Sequence, residues 1–523
     1  MTNLIKIVDL FAGPGGLGEG FSALKANGSQ TFKIAVSVEK EASAHQTLTL
    51  RAFFRQFDRT DVPEDYYRYL RGEISKSALF DRWPAQAALA FEETLSAPRA
   101  LGEDNELIDK AIARALGENS SPWVLIGGPP CQAYSLVGRA RNKGVTGYKP
   151  EEDHRHFLYR EYLRIIARFQ PAIFVMENVK GMLSSRVSGV RIFDRVLDDL
   201  REPWKCLQQV HKGKRYRIYS LVKDGPADFF EPTDFIIQSE KYGIPQTRHR
   251  VILLGIREDI HLANSIPVLQ ESIPPTLKSL IDKLPPLRSG LSKAIDTPEN
   301  WLNTLSEAAR NISECVPVSE STQSLIRKLR TTEKSRTSPM CGRGAKFLPL
   351  RNGLDIWAGM PKEYTEWFAD EKLQGIINHE TRGHITGDLE RYLYLIAKSQ
   401  VGHHSTYSSP RLSEIPEALQ PKHKNIKSGH FNDRFKVQLP HGPASTITSH
   451  ISKDGHYYIH YDLKQCRSFT VREAARVQTF PDNYYFEGNR TQQFVQVGNA
   501  VPPLLANQIA NTVLSVITDF LAN

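Results

Sequence analysis

Asp9-Leu10-Phe11-Ala12-Gly13-Pro14-Gly15-Gly16-Leu17-Gly18 decides how this chain folds. The apolar residues Ile5–Leu10 before it read as a first β-strand, and Leu17–Ala26 after it as a helix ending before Gly28. The turn between them contains G-x-G-x-x-G (Gly13, Gly15, Gly18). Glu39 closes the next strand, Lys33–Val38, roughly 20 residues on, where an acid accepts hydrogen bonds from ribose hydroxyls. This context suits an adenosine-type cofactor without separating a nicotinamide dinucleotide from S-adenosylmethionine. A tight strand–helix turn that binds nothing is the alternative.

Outward from that loop, strand-like and helix-like segments alternate, as in a parallel sheet with crossover helices. Further strands are expected at Trp123–Ile126, Ala172–Met176, Arg217–Val222 and Arg250–Gly255, and a helix across Phe157–Phe169. An insertion near 60–120, rich in Tyr, Arg and Ala, reads as mostly helical. Pro267–Pro286 is proline-dense, and few clear periods follow it up to about Cys466. A helical pattern returns from Arg467 and ends in the amphipathic segment Leu504–Leu521.

The strand Trp123–Ile126 runs into Gly127-Gly128-Pro129-Pro130-Cys131-Gln132-Ala133-Tyr134-Ser135. Two glycines and two prolines break the strand and fix a turn, which holds one thiol at the end of the sheet where α/β proteins bind ligands. A nucleophile fits that position; a small buried hydrophobe is the bland reading. Glu177-Asn178-Val179 follows the Ala172–Met176 strand, so its carboxylate reaches the same edge, where it can share a proton with a substrate nitrogen; a helix cap is an equal reading. Tyr242–Arg250 places Arg248 and Arg250 at alternate positions, on one face of a strand, suited to a carbonyl oxygen and a phosphate. Gln496–Pro503 is a turn into the last helix.

The bulk numbers narrow the class. At 523 residues two domains are expected. Forty per cent hydrophobic and 24% charged residues are ordinary for a globular enzyme, and a net charge of +9 hints at a polyanionic partner. Cys131, Cys206, Cys315, Cys341 and Cys466 show no C-x-x-C spacing, which argues for a reducing cytoplasm and against a disulfide framework or a cysteine-rich zinc module. The first ten residues lack the basic region of a signal peptide, and no apolar run reaches the roughly 18 residues a membrane span needs. His379, His384, His403, His404, His423 and His430 match no zinc spacing, so no metal is expected.

Taken in order, the glycine loop, PPCQ, ENV, QxRxR (Gln246, Arg248, Arg250), the segment from Arg467 through Pro481-Asp482 to Gly488, and GNAVPP (Gly498–Pro503) resemble the motifs of DNA (cytosine-5)-methyltransferases. The match covers both ends of the chain and leaves the middle uncovered. It implies an α/β, Rossmann-like S-adenosylmethionine-dependent methyltransferase domain, a mixed sheet with helices on both faces, plus a smaller target-recognition domain. The boundaries expected are 1–286 for catalysis and cofactor, 287–466 for target recognition, and 467–523 folding back on the first. The resemblance assigns Phe11, Gly13, Gly15, Gly16, Glu39, Pro129 and Asn499 to S-adenosylmethionine. It gives Cys131 addition to cytosine C6, Glu177 the N3 position, Arg250 the hold on O2 and on the acid, and Arg248 support of the catalytic loop. Gln132, Ser135, Arg139 and Arg141 fall on a basic, glycine-containing stretch that resembles the family's closing loop over a flipped-out base.

Two family features are not matched. The acid expected after the third strand is obscured by the insertion, with Asp61, Glu103 and Asp104 all eligible. Lys40 stands where an aromatic often stacks on adenine. In the uncovered middle, Pro443–His450 resembles the Thr-containing turn that ends the recognition domain. The whole reads as a sequence-specific, monomeric, cytoplasmic enzyme of double-stranded DNA. It resembles the stand-alone prokaryotic or phage type, whose functional partner is a cognate restriction endonuclease. The alternatives are an RNA cytosine-5 methyltransferase and a catalytically silent DNA-binding relative. A dehydrogenase explains the glycine loop alone.

Overall fold

The glycine loop joins β1 (Ile5–Leu10) to α1 (Gly16–Ala23). The structure, a computed structural model, describes residues 4–117, 121–130, 154–187, 190–207, 213–225, 230–262, 264–316, 319–335, 342–350, 353–401, 408–421 and 434–522. These divide into two units. The first comprises Met1–Pro63, Lys76–Ile273 and Ala500–Asn523; the second comprises Glu64–Ser75 and Pro274–Asn499.

The first unit is built on a seven-stranded sheet. Its strands are β1, β2 (Phe32–Val38), β3 (Val124–Gly127), β4 (Ile173–Val179), β5 (Tyr216–Tyr219), β6 (Ile236–Gln238) and β7 (His249–Arg257). The order is β6-β7-β4-β3-β1-β2, with β5 also pairing β7. β1 to β4 are mutually parallel, and β7 runs antiparallel to β4, β5 and β6. The carboxyl ends of four strands and the amino end of β7 therefore lie along one edge. The apolar strands bury both faces, as a sheet with crossovers requires. One face packs Ile108 and Ile112 of α4 (Asn105–Leu116), Leu163 and Ile166 of α5 (His154–Phe169), and Phe193 and Val196 of α6 (Ile192–Arg201). The other packs Leu17 and Phe21 of α1 against Leu505, Ile509 and Val513 of α11 (Pro503–Ala522).

The insertion is helical, as expected. It includes α3 (Pro84–Glu93) and α4, and follows α2 (Ala42–Phe54). Its residues Glu64–Ser75 belong to the second unit, where Tyr67 donates to Asp370 at 2.9 Å and Tyr69 to Glu487 at 2.6 Å. β4 extends three residues past the expected end at Met176, because pairing with β7 carries the ladder to Val179 opposite Arg250. Glu177 thus stands within a strand and not after one.

In the second unit, α7 (Pro298–Cys315) and α8 (Thr386–Ser399) accompany the hairpin β8 (Gly344–Pro349) and β9 (Gly375–Glu380), α9 (Val471–Val477) and α10 (Arg490–Asn499). The units do not follow the boundaries drawn from sequence. The first division falls at Ile273/Pro274 instead of 286/287, because Leu277 N donates to Gly442 O and Arg476 donates to Leu280 O. The return falls at Asn499/Ala500 instead of 466/467, because the arginines after 466 are anchored inside the second unit. Residues Arg490–Ala522 contain an 18-residue window apolar enough to span a membrane by length and composition, yet 67% of that window is buried in the fold, as in a core helix.

Candidate active site

The glycine loop is held in a conformation that most side chains resist. Phe11, Gly13 and Gly15 have φ of 56°, 57° and 95°. The positive φ of Phe11, a non-glycine residue, is backbone strain of the kind that persists where surrounding structure fixes it. Ala12 N donates to Val38 O and Gly13 N donates to Oε2 of Glu39 at 2.8 Å, which ties the loop to the end of β2. The other Glu39 oxygen accepts from Glu41 N at 2.6 Å. Burial pushes the Glu39 carboxyl up, against the pull of these amides. A Cβ on Gly16 would lie 2.3 Å from Val501 O, so only glycine fits there, whereas Gly13 borders open space on its Cβ side. A glycine cradle with open space and a carboxylate at its rim fits the ribose of an adenosine-bearing cofactor. Arg99 N donates to Glu39 O at 2.8 Å, which brings the turn carrying Glu103 and Asp104 beside the same strand end.

Across the edge, Glu177 of β4 lies opposite Ile252 of β7, two residues from Arg250 on the same face. Arg250 Nε stands 2.9 Å from Glu177 Oε1, an ion pair whose N–H is not aimed along the line between them. Both side chains keep some exposure, 17% and 14%. Arg250 also donates to His249 O at 2.9 Å, while His249 turns to Glu240 at 2.8 Å. A Cβ on Gly128 would come within 3.1 Å of Glu177 Oε2, so the backbone leading into the PPCQ loop passes against this carboxylate. Asn178 donates to Pro129 O at 3.1 Å and fixes that backbone. Arg248 is buried, and its carbonyl accepts from both the amide and the hydroxyl of Ser239.

The structure therefore brings Phe11, Gly13, Gly15, Gly16, Glu39, Pro129, Glu177 and Arg250 to one sheet edge. Asn499 ends α10 in the second unit. Cys131, Gln132, Ser135, Arg139 and Arg141 lie outside the described residues, as do His403, His404, His423 and His430. Among the described residues, no group of three or more His, Cys, Asp or Glu side chains is arranged to hold a metal. His379 is buried, its two ring nitrogens meeting Thr470 Oγ1 at 2.9 Å and Pro285 O at 3.1 Å.

Sequence reasoning missed what the Arg467 segment does. Arg467 binds both oxygens of Glu473 at 2.6 and 2.7 Å; Arg472 donates to the carbonyls of Ile377, Pro481 and Tyr484; Arg476 grips Asp482 at 2.9 and 2.7 Å. All three arginines are buried. Thr470 and Glu473 form a capping box at the start of α9. The pattern T-x-x-E before an apolar run was the available signal. Gly498 was missed too: a Cβ there would lie 2.2 Å from Thr448 C and Ser449 N.

The family model described as C-5 cytosine-specific DNA methylase matches residues 83–210 and 230–515. The chain belongs to this family. A type II methyltransferase of Bacillus paralicheniformis is 34% identical, over 98% of this chain and 99% of the relative. A DNA (cytosine-5-)-methyltransferase of Aeropyrum pernix is 24% identical, over 75% of this chain and 81% of its own. A solved methyltransferase structure from Entamoeba histolytica aligns at 13% identity with a TM-score of 0.42, covering 99% of both chains. As a C-5 cytosine-specific DNA methylase, the chain is a DNA (cytosine-5)-methyltransferase of the restriction–modification type. The sheet edge carrying Glu177 and Arg250 is its candidate centre.

Proposed function

We propose that this methyltransferase modifies a flipped-out cytosine of a specific sequence in double-stranded DNA through a covalent adduct between Cys131 and C6. The observation that carries the reading is the Glu177–Arg250 pair, 2.9 Å apart at the sheet edge, with the Gly128–Pro129 backbone that leads to Cys131 passing against it. Cytosine C5 is a poor nucleophile, so addition of a thiolate to C6 is needed to turn C5 into an enamine carbon. Glu177 would hold a proton at N3 as charge develops there, and Arg250 would fix both O2 and the acid. S-adenosylmethionine, when bound on the Gly13–Gly16 cradle with Glu39 at its ribose, supplies the methyl group. Loss of the C5 proton and departure of the Cys131 sulfur then restore the aromatic ring.

Residues 274–499 would read the target sequence in this proposal. Their turn Pro443–His450 is braced by Tyr458, whose hydroxyl donates to Thr446 O at 2.9 Å and accepts from Thr448 N at 3.1 Å. A monomer acting in the cytoplasm and protecting DNA from a cognate endonuclease completes the reading. A duplex carrying 5-fluorocytosine at the target should trap the enzyme in a stable adduct that mass spectrometry maps to Cys131. Adducts on another cysteine, or substantial turnover by Cys131→Ser, would refute the covalent route. Bisulfite sequencing of DNA from expressing cells would reveal the target.

A further inference from the structure

Beneath the glycine loop lies a buried layer of charge that the methyl-transfer reaction does not use. Asp9, in β1, is 1% exposed, and among the described residues neither of its oxygens accepts a well-aligned hydrogen bond. The Gly18 amide favours its ionised form, and a Cβ on Gly18 would sit 3.2 Å from Asp9 Oδ2. Every neighbouring element contributes a titratable or polar group. Glu19 of α1 binds Arg51 of α2 at 2.8 and 2.5 Å. Arg55, one residue past α2, stands 2.5 Å from Glu93 of α3 and 3.9 Å from Glu19. Ser37 of β2 donates to Glu93 at 3.5 Å, and Lys33 and Arg59 bear on this layer from farther away. His45 of α2 meets Thr94 O, and burial holds its ring below the ordinary range. Tyr162 of α5 donates to Val175 O. Glu39 is held by the Gly13 and Glu41 amides.

Three buried carboxylates (Asp9, Glu19, Glu93), with the half-buried Glu39 at their rim, thus face two guanidinium groups, Arg51 and Arg55, in a water-poor layer. Such an excess of negative charge cannot all stay ionised there. Among the described residues, Asp9 is the member with neither a cation nor a well-aligned amide in hydrogen-bond contact. Burial pushes its carboxyl up to about 8, with Arg55 pulling it down and Glu93 and Glu39 adding to the rise.

We propose that Asp9 is a proton-linked specificity residue: protonated without cofactor, it releases its proton to solvent when a cationic cofactor docks on the loop above. This rests on S-adenosylmethionine being the methyl donor. A positive charge at the loop favours ionised Asp9, and by linkage ionised Asp9 favours the positive charge by the same factor. The demethylated product, S-adenosylhomocysteine, keeps the adenosine and amino-acid parts but lacks the sulfonium charge. Asp9 therefore acts through the field at the site, raising the preference for cofactor over product as pH rises.

Titration calorimetry of the full chain with each ligand, in buffers of different ionisation enthalpy between about pH 6.5 and 9, counts the protons released. S-adenosylmethionine should release more than S-adenosylhomocysteine, and its affinity should rise by up to about tenfold per pH unit toward pH 8. Asp9→Asn, shaped like the neutral acid, should bind the cofactor without that release and with a reduced preference over product. Glu93→Gln removes an acid that pushes Asp9 up, so the release should shift to lower pH, a readout independent of how Asp9→Asn folds. Equal proton counts for both ligands, or release unchanged in Asp9→Asn, would overturn the assignment. Failure to bind either ligand would instead overturn the cofactor reading, and the proposal with it.

Discussion

In the first unit Arg250 meets Glu177 through one 2.9 Å approach, with side chains 17% and 14% exposed; in the second, Arg467 meets Glu473 through bonds of 2.6 and 2.7 Å, each side chain 1% exposed. The residue types are the same and the construction is opposite. Arg467 also donates to Leu287 O, Ser468 O and Gln465 Oε1, and Glu473 also accepts from Thr470 N. Arg467 holds Glu473 below the usual carboxylate range, despite burial working the other way. A fully satisfied buried pair has nothing left to offer a ligand, and losing one partner strands a charge. The looser pair keeps lone pairs and exposure, which is what a substrate base requires.

That contrast predicts separable phenotypes. Glu177→Gln should cut methylation by about 10²–10⁴-fold while the melting temperature barely moves. Arg467→Ala should lower stability by about 3–5 kcal/mol, read by denaturant unfolding. A Glu177→Gln variant that melts early, or an Arg467→Ala variant with full stability and no activity, would reverse the roles assigned here.

pH should separate the units with opposite signs. Burial lowers the rings of His379 and His460 in the second unit to about 4. Below about 6.5 the unfolded chain takes up protons that the folded chain refuses, so stability should fall as pH drops from 6.5 toward 4, by on the order of 1–3 kcal/mol per ring. Asp9 works the other way. Its folded carboxyl keeps a proton up to about 8 that the unfolded chain gives up near 4, so its contribution is lost as pH rises through that window. Melting curves at pH 5, 6.5 and 8 should show a maximum in the middle, and Asp9→Asn should flatten the alkaline arm and steepen the acid one. A monotonic trend would break the contrast. The smallest effect expected is for Gly128→Ala. Its methyl would press on Glu177 at 3.1 Å and should cost turnover several-fold with stability within about 0.5 kcal/mol, since Gly128 is not at positive φ.

The first unit's strands were legible because buried apolar runs, punctuated by glycine and proline, state themselves locally. The residues at the sheet edge were legible for the same reason, each sitting just before or after such a run. Glu177 was placed after its strand because nothing local announces that β7 continues the ladder to Val179. The second unit was opaque. Arg472 is satisfied by Ile377 O, Pro481 O and Tyr484 O, and Arg476 by Asp482, Leu280 O and Ile356 O, partners from distant parts of the chain. In sequence such arginines look like solvated helix faces. Asp9 was read as part of a loop motif, because its burial depends on α2 and α3, which are far along the chain.

Gly20 of α1 has a consequence for how the molecule is made. A Cβ there would fall 2.3 Å from Pro503 O and 2.5 Å from Ala506 Cβ, and Asn507 donates to Gly20 O across a separation of 487 residues. The apolar side of α1 leaves the ribosome 487 residues ahead of the segment that covers it. At about 5–20 residues per second, Leu17 and Phe21 wait on the order of half a minute or more before α11 reaches them. During that interval the exposed apolar face is open to aggregation. A message broken before the Pro503 codon yields a chain whose cofactor loop rests on an uncovered helix, so truncated products should be cleared by proteolysis without ever marking DNA.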